Sequence, residues 1–167
     1  MTEEQREQIA KITREKYEIC VEVQYEKFGK LPTKAHATDA GFDLYATEDI
    51  KLYPGQVIKH PLNIKLQLPK GSWAEITTKS GLGSKGQLVY AGVIDEAYRG
   101  IPHVVMTNVK LKNEKNKDNI DPIIVLKGEK IAQLIMNSYS PFYYLTEVKE
   151  VDSNTDRGDG GFGSSGV

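Results

Sequence analysis

The stretch from Gly92 to Gly100, which reads GVIDEAYRG, is the part of the sequence best suited to chemistry. Its two glycines allow a sharp turn or a close approach of the backbone to a ligand, and the apolar pair between them is typical of a strand end. We expect a tight hairpin whose free backbone groups bind a planar, hydrogen-bonding ring, with Tyr98 against an attached sugar and Asp95 near a hydroxyl or a water. The alternative is an ordinary β-turn with a solvated aspartate, and these nine residues alone favour it.

Three further stretches combine glycines with charged or polar side chains. Asp39–Ala46 places two carboxylates around a glycine, and Thr78–Lys85 combines glycines, cations and hydroxyls in the manner of a phosphate cradle. Gly128–Leu134 ends a turn and begins a strand that carries one amide, Gln133. Each stretch alone is weak evidence, because short glycine-rich matches arise by chance.

The tail from Asp152 to Val167 is rich in glycine and serine and contains one aromatic residue, Phe162. This composition predicts a disordered tail, since little in it offsets the entropy lost on ordering. Glycines together with Arg157 and hydroxyl groups are also typical of a segment that wraps a phosphate chain through converging N–H donors.

Elsewhere, short alternating apolar runs are separated by turn residues, with clear turns at 53–55 and 69–71. This period indicates strands and predicts an all-β fold, a jelly-roll or β-clip type barrel of many short strands. The predicted strands are Ile19–Tyr25, Phe42–Ala46, Gln56–Leu68, Trp73–Thr78, Leu88–Ile94, His103–Leu111, Ile120–Leu126, Lys130–Met136 and Tyr143–Val148.

The expected division is an N-terminal appendage over 1–18 with a short helix, a β-barrel core over 19–151 and a C-terminal arm over 152–167. Residues 28–38 are expected to form a loop. A short helix over 82–87 is opposed by its glycines. The charged segment 112–118 is expected to be an exposed hairpin tip, with a partner-binding surface as the alternative.

Composition excludes several classes of function. A net charge of -1 gives no global electrostatic footprint for nucleic acid or a membrane, and no apolar run is long enough to span a bilayer. We expect a cytoplasmic location, because the charged N-terminus lacks the apolar core of a signal peptide. With a single cysteine, Cys20, and three histidines, a dedicated transition-metal site is not expected.

Five stretches resemble, in chain order, the five motifs of the trimeric deoxyuridine triphosphatase (dUTP diphosphatase) family. The first to the fifth are Asp39–Ala46, Thr78–Lys85, Gly92–Gly100, Gly128–Leu134 and the tail. The resemblance runs from about Val21 to the last residue, with close matches at Ala40–Leu44, Gly92–Gly100, Ile131–Gln133 and Gly161–Gly166. It implies a jelly-roll subunit in a homotrimer that shares its active sites between subunits. It also implies Mg²⁺-dependent hydrolysis of dUTP to dUMP and diphosphate, which limits uracil in DNA and supplies dUMP for dTMP synthesis.

The resemblance implies two roles in the hairpin. Asp95 is the general base that activates water for attack on the α-phosphate and contacts the 3′-hydroxyl, and Tyr98 packs beneath deoxyribose. A turn aspartate and a core tyrosine are the alternatives. The residues whose backbone is implied to bind the nucleoside are Ala91, Gly92, Val93, Ile94 and, in the following strand, His103.

Around the phosphates, the resemblance implies that Asp43 binds waters of a Mg²⁺ ion, which prefers oxygen ligands and keeps several waters. Gln133 is implied to hold an α-phosphate oxygen or the attacking water. The alternatives are a turn-stabilising aspartate and a strand amide bonded to backbone. The residues implied to bind phosphate directly are Lys79, Ser80 and Gly81.

In the tail, the resemblance implies that Arg157 meets the γ-phosphate and Phe162 stacks on uracil. Further N–H and O–H donors are implied at Gly163, Ser164 and Ser165. The sequence departs from the family at Lys79, where arginine is usual, so the bidentate fork is lost. It also departs at the longer segment around 112–118.

Two rival functions stay open at this point. A deoxycytidine triphosphate deaminase shares the fold and some motifs, but the FGSSG tail favours the hydrolase. A protein of this family can also serve mainly as a nucleotide-gated partner of a regulatory protein, as some phage-encoded relatives are thought to do. Release of diphosphate from dUTP, or of ammonia from dCTP, separates these functions.

Overall fold

The computed structural model describes residues 21–90, 92–110, 122–139 and 145–150. The predicted N-terminal appendage, Ala91, the charged segment 112–118 and the C-terminal arm lie outside the described residues, as does Cys20. Within the described part, no helix combines the length and apolar character needed to cross a membrane.

The described chain is all-β and of jelly-roll type, with eleven strands and one helical turn. In chain order they are β1 Glu22–Tyr25, β2 Gly41–Tyr45, β3 Ile50–Leu52, β4 Val57–Pro61, β5 Ile64–Gln67, β6 Ser72–Thr77, α1 Ser80–Gly83, β7 Gln87–Tyr90, β8 Val93–Ile94, β9 His103–Asn108, β10 Ile123–Val125 and β11 Lys130–Ser138. All strand pairs are antiparallel. The sheets have the strand orders β2-β11-β6-β8, β4-β9-β7, β1-β5 and β10-β3.

One apolar core joins the four sheets, because each sheet turns apolar side chains inward. Strand β6 shows the pattern most clearly: Ser72, Ala74 and Ile76 are buried and the residues between them are half-buried. The largest fully buried apolar side chains are Leu44, Leu52, Ile64, Val104, Met106 and Ile131. Each contributes about 1.5–3 kcal/mol by leaving water.

Two buried amides connect the sheets. Gln87 in β7 donates to the carbonyl of Ile131 in β11 at 2.9 Å, and Asn108 in β9 donates to the carbonyl of Leu52 in β3 at 3.0 Å. Because a buried amide without a partner is costly, these bonds fix the relative placement of the sheets that carry the site.

The all-β prediction is confirmed, but two predicted strands are divided and one observed strand was not predicted. The run 56–68 is two strands, since Asn63 takes a positive φ of 52° and turns the chain between β4 and β5. The run 88–94 is likewise divided into β7 and β8. Strand β3 was not predicted; its three residues are too few to show a period, and it exists through pairing with β10.

The loop predicted over 28–38 is confirmed, with one isolated bridge between Thr33 and Asp43. The strand predicted over 143–148 is wrong for 145–148, which form no strand; Leu145 is fully exposed there and gains nothing from burial. The helical turn α1 begins at Ser80, two residues before the segment where glycines opposed a helix.

Candidate active site

Three neighbouring strands bring the first, second and fourth motifs together. Gln133 in the central strand β11 is in register with Asp43 in β2 on one side and with Thr77 in β6 on the other. Beyond Thr77 the chain continues through Thr78 to Lys79. Residues that are far apart in the sequence therefore meet at one end of β6, as the motif reading predicted.

Asp43 is the centre of this region, with only 5% of the residue exposed. Its Oδ1 accepts from Lys79 Nζ, and its Oδ2 is 2.6 Å from Lys130 Nζ. We refer to Asp43, Lys79 and Lys130 as the Asp43 cluster. It places two cations on one buried carboxylate.

The cluster changes the ionisation of its members. Burial by itself raises the pKa of the Asp43 carboxyl, but the hydrogen bonds from Lys130 and Lys79 outweigh it, so the pKa of Asp43 lies below its ordinary value. The hydrogen bond to Asp43 in turn raises the pKa of Lys130. Asp43 therefore stays a carboxylate and Lys130 an ammonium group near neutral pH.

Lys130 was missed as a site residue. Its signal in the sequence is a charged residue directly before the buried pair Ile131 and Ala132, at the start of β11. The sequence alone does not show that this lysine points at Asp43, because that contact depends on the pairing of β11 with β2.

The helical turn α1 follows directly from the cluster. Lys79 precedes it in an extended conformation, and its carbonyl accepts from the N–H groups of Leu82 and Gly83 at 2.9 and 2.8 Å. Ser80 and Gly81 are exposed on this turn, and nothing lies within 4 Å of the position that a Gly81 Cβ would occupy. The backbone at Gly81 is thus open to a ligand.

Gln133 is bonded to backbone. Its Nε2 donates to the carbonyl of Thr78 at 3.0 Å, and a Cβ on Gly41 would come within 3.0 Å of its Oε1. The alternative reading of this residue, a strand amide bonded to backbone, describes this contact. Its predicted catalytic role stays a prediction.

The Asp95 hairpin begins at Gly92, where the backbone lies directly against Ile76 of β6. The Ile76 N–H donates to the Gly92 carbonyl at 2.8 Å, and a Cβ on Gly92 would overlap the Ile76 carbonyl oxygen. Only glycine therefore allows this approach. Strand β8 then pairs with β6 through Ala74 and Glu75 and forms the outer edge of its sheet. Among the described residues, no strand pairs with its other side.

Asp95 and Tyr98 follow β8 and are both exposed, which removes the core alternative for Tyr98. The Tyr98 N–H donates to the Asp95 carbonyl at 3.0 Å and closes the turn. The Tyr98 hydroxyl donates to the carbonyl of Ile101 at 3.1 Å, and its ring occupies the space that a side chain on Gly100 would need. His103, at the start of β9, is half-buried.

The structure does not bring the hairpin to the Asp43 cluster within one chain. Asp95 shares a groove with Trp73 at the start of β6, whereas Lys79 lies beyond the end of β6. Trp73 and Lys79 are six residue steps apart along an extended chain, about 20 Å at roughly 3.3 Å per residue. The predicted tail residues Arg157, Phe162, Gly163, Ser164 and Ser165 lie outside the described residues.

Comparison with known proteins identifies this arrangement. The sequence model of the dUTPase family matches residues 27–166. The deoxyuridine 5'-triphosphate nucleotidohydrolase of Variola virus is 41% identical over 140 residues, which cover 83% of this chain and 86% of that protein. The corresponding protein of Gloeothece citriformis is 39% identical over 147 residues, covering 85% and 92%.

Two further relatives add context. The chain is 37% identical over 142 residues to part of the Pol polyprotein of an ovine maedi visna related virus and spans 12% of that polyprotein. The dUTPase of Staphylococcus bacteriophage 80alpha, solved with dUPNHPP, superposes with a TM-score of 0.74 at 28% identity, covering 89% of this chain and 99% of the phage chain. That phage protein is described as controlling the transfer of virulence genes by a G protein-like mechanism.

Fold and comparisons together define the class of protein as a nucleotide hydrolase. The chain belongs to the dUTPase family, whose enzymes are dUTP diphosphatases.

Proposed function

We propose that this chain hydrolyses dUTP to dUMP and diphosphate, and so limits uracil in DNA and supplies dUMP for dTMP synthesis. The observation that carries the proposal is the pair of half-sites at the two ends of β6. One end holds the Asp43 cluster beside the open turn at Ser80 and Gly81, and the other holds the edge strand β8 with Asp95. Membership of the dUTPase family supplies a substrate, dUTP, whose triphosphate suits the first region and whose nucleoside suits the second.

On the phosphate side, Lys79, Ser80 and Gly81 bind the triphosphate. Lys79 starts from an ion pair with Asp43, so its ammonium group is held at the site before the substrate arrives. Gln133 donates one N–H to the carbonyl of Thr78, and the described residues give its oxygen and second N–H no partner, so both can serve the attacking water or an α-phosphate oxygen.

Magnesium fits this site only together with the substrate. Among the described residues there is no group of three or more His, Cys, Asp or Glu side chains able to hold a metal ion. Both Asp43 oxygens already accept from lysine, yet each keeps a lone pair for a water. Asp43 would therefore hold hydrated Mg²⁺ through water, and the ion would supply positive charge against the phosphates.

On the nucleoside side, the backbone of Ala91 to Ile94 pairs with uracil, with a further contribution from backbone near His103. Tyr98 packs against deoxyribose. Asp95 takes the proton of the attacking water, and its exposure leaves it accessible to that water. From the C-terminal arm, Arg157 meets the γ-phosphate and Phe162 covers the base, and the remaining donors come from Gly163, Ser164 and Ser165.

The two half-sites are too far apart for one chain to complete a site, and this supports a homotrimer with sites shared between subunits. The outer face of the β4-β9-β7 sheet also offers an apolar surface for assembly. Val57, Leu88 and Tyr90 are 60%, 37% and 46% exposed there, and their registers place Val57 and Leu88 beside each other across Thr107. Light scattering of the active protein tests the trimer, and a monomeric mass with full activity would exclude it.

The deciding experiment is incubation of the purified protein with dUTP and Mg²⁺, with release of diphosphate measured, and with dCTP and ammonia release in parallel. The proposal expects diphosphate from dUTP and no ammonia from dCTP. Ammonia release would indicate a deaminase. Tight nucleotide binding without turnover would indicate a regulatory partner role, for which the phage 80alpha relative is the precedent.

A further inference from the structure

A second carboxylate in the hairpin, Glu96, bonds to two segments of the barrel that the sequence did not connect with the site. Its Oε2 accepts from the Tyr139 hydroxyl at 2.6 Å and from the Gly71 N–H at 2.7 Å. The Tyr139 N–H also donates to the Gly71 carbonyl at 3.0 Å. We call Glu96, Tyr139 and Gly71 the Glu96 clamp. It ties the hairpin to the turn before β6 and to the end of β11.

The clamp acts at the place where the hairpin has least support. Strand β8 has only two residues, and both of its pairing contacts lie before Asp95. After Asp95 the chain turns in the open, with Arg99 Nη1 donating to the Glu96 carbonyl at 2.6 Å as a local brace. Among the described residues, the two hydrogen bonds to the Glu96 side chain connect this turn to the barrel, one residue after Asp95.

The charges fit a clamp that is closed near neutral pH. The hydrogen bond from Tyr139, followed by that from Gly71, lowers the pKa of Glu96 against the effect of desolvation, and Lys70 and Arg99 add to the lowering. The bond to Glu96 raises the pKa of Tyr139. Glu96 is thus a charged acceptor and Tyr139 a protonated donor, which is the stronger kind of hydrogen bond.

We propose that Glu96 and Tyr139 are positioning residues, which hold the hairpin so that the Asp95 carboxylate is placed for proton transfer. A general base must lie within hydrogen-bond reach of its water, and displacements of a fraction of an ångström lower its efficiency. This inference rests on the role proposed for Asp95. Neither residue touches the reacting atoms; both act through the backbone of the turn.

The test compares Tyr139→Phe, Glu96→Gln, Glu96→Ala and the double variant Glu96→Ala/Tyr139→Phe in the full-length protein. Tyr139→Phe removes one hydroxyl and keeps the ring. The matched control is Tyr53→Phe, since Tyr53 is also exposed and its hydroxyl has no partner within the described ranges. The readouts are kcat and KM for dUTP, thermal melting, and amide hydrogen exchange of the peptide covering 92–100.

Loss of one charge-assisted bond is expected to lower kcat about tenfold in Tyr139→Phe, with little change in KM or melting temperature. Faster exchange over 92–100 should accompany the loss. Glu96→Gln, which keeps an acceptor, should retain more activity than Glu96→Ala. The double variant should be no worse than Glu96→Ala, because the two residues act as one unit. Tyr53→Phe should match the wild type.

An unchanged kcat in both Tyr139→Phe and Glu96→Ala overturns the positioning role, and so does a loss that merely follows a lower melting temperature. Failure of the proposed function gives a different result, namely wild-type protein that does not hydrolyse dUTP. In that case the exchange data still decide the clamp, since unchanged exchange over 92–100 in Tyr139→Phe would show that it does not hold the hairpin.

Discussion

Asp43 and Asp95 are two aspartates of one proposed site in opposite surroundings. Asp43 is buried and bonded to two lysines, whereas Asp95 is exposed on a short edge hairpin and, among the described residues, forms no ion pair. A carboxylate that organises cations is best kept permanently charged, and burial between ammonium groups does this. A carboxylate that must accept a proton needs access to water, so its position has to come from its neighbours.

The two regions are accordingly held in different ways. Side-chain charges fix the Asp43 cluster. The hairpin is fixed by backbone, through the approach of Gly92 to Ile76, and by the Glu96 clamp. Substitutions that remove a charge and substitutions that displace the backbone should therefore affect the two regions differently.

Asp95→Asn should give the largest loss of activity with the smallest change in fold. The amide keeps the shape and removes the base, so kcat should fall by about a hundred- to ten-thousand-fold. Melting temperature and binding of a non-hydrolysable dUTP analogue, measured by calorimetry, should stay close to wild type. Near wild-type turnover would exclude Asp95 as the base.

Gly92→Ala should damage both position and stability. The new Cβ would overlap the Ile76 carbonyl, so β8 must move away from β6, at an expected cost of about 2 kcal/mol or more in the free energy of unfolding. Urea unfolding measures the cost. Gly81→Ala is the control, because space around Gly81 is open and the fold should tolerate the change. Equal stability of the two variants would contradict the close approach.

Asp43→Asn should disturb the charge cluster while the hairpin stays in place. Without their shared carboxylate the two lysines repel each other, and we expect a loss of about 1–3 kcal/mol in stability together with a higher KM for dUTP. Asp39→Asn is the matched control from the same motif, since Asp39 is not part of the cluster and, among the described residues, accepts a hydrogen bond from the nearby His36 N–H alone. If the Asp43 variant is as stable as the wild type and has a normal KM, the Asp43 cluster is not part of the substrate-binding site.

The pH dependence of unfolding offers a smaller and more specific test. Because the folded pKa of Asp43 lies below its ordinary value of 3.8, its contribution to stability is present above that value and is lost as the pH falls through the lowered folded pKa. Urea unfolding in acid should therefore show a steeper loss for the wild type than for Asp43→Asn. Parallel curves would mean that the lysines do not stabilise the carboxylate.

The sequence predicted the all-β class and the motif residues because both are local patterns. Alternation identified β6 and β9, and glycine spacing indicated the tight turn of the hairpin. The glycines of 82–87 argued against a helix, and they gave no indication of the helical turn over Ser80–Gly83. Side-chain contacts that depend on which strands lie side by side could not be predicted from the sequence. Lys130 reaches Asp43 only because β11 lies beside β2, and Tyr139 reaches Glu96 only because the end of β11 lies beside the turn at Gly71. A single sequence contains no local signal for either contact.

The length of β6 has a genetic consequence if each site is shared. Because the half-sites of one chain stand at opposite ends of that strand, each chain contributes to two different sites in an assembly. A chain with a defective half-site at one end of β6 would inactivate a site whose other half comes from a normal chain. A defective allele would therefore be partly dominant. Two alleles broken at opposite ends would complement each other, since some sites in a mixed assembly draw an intact half from each.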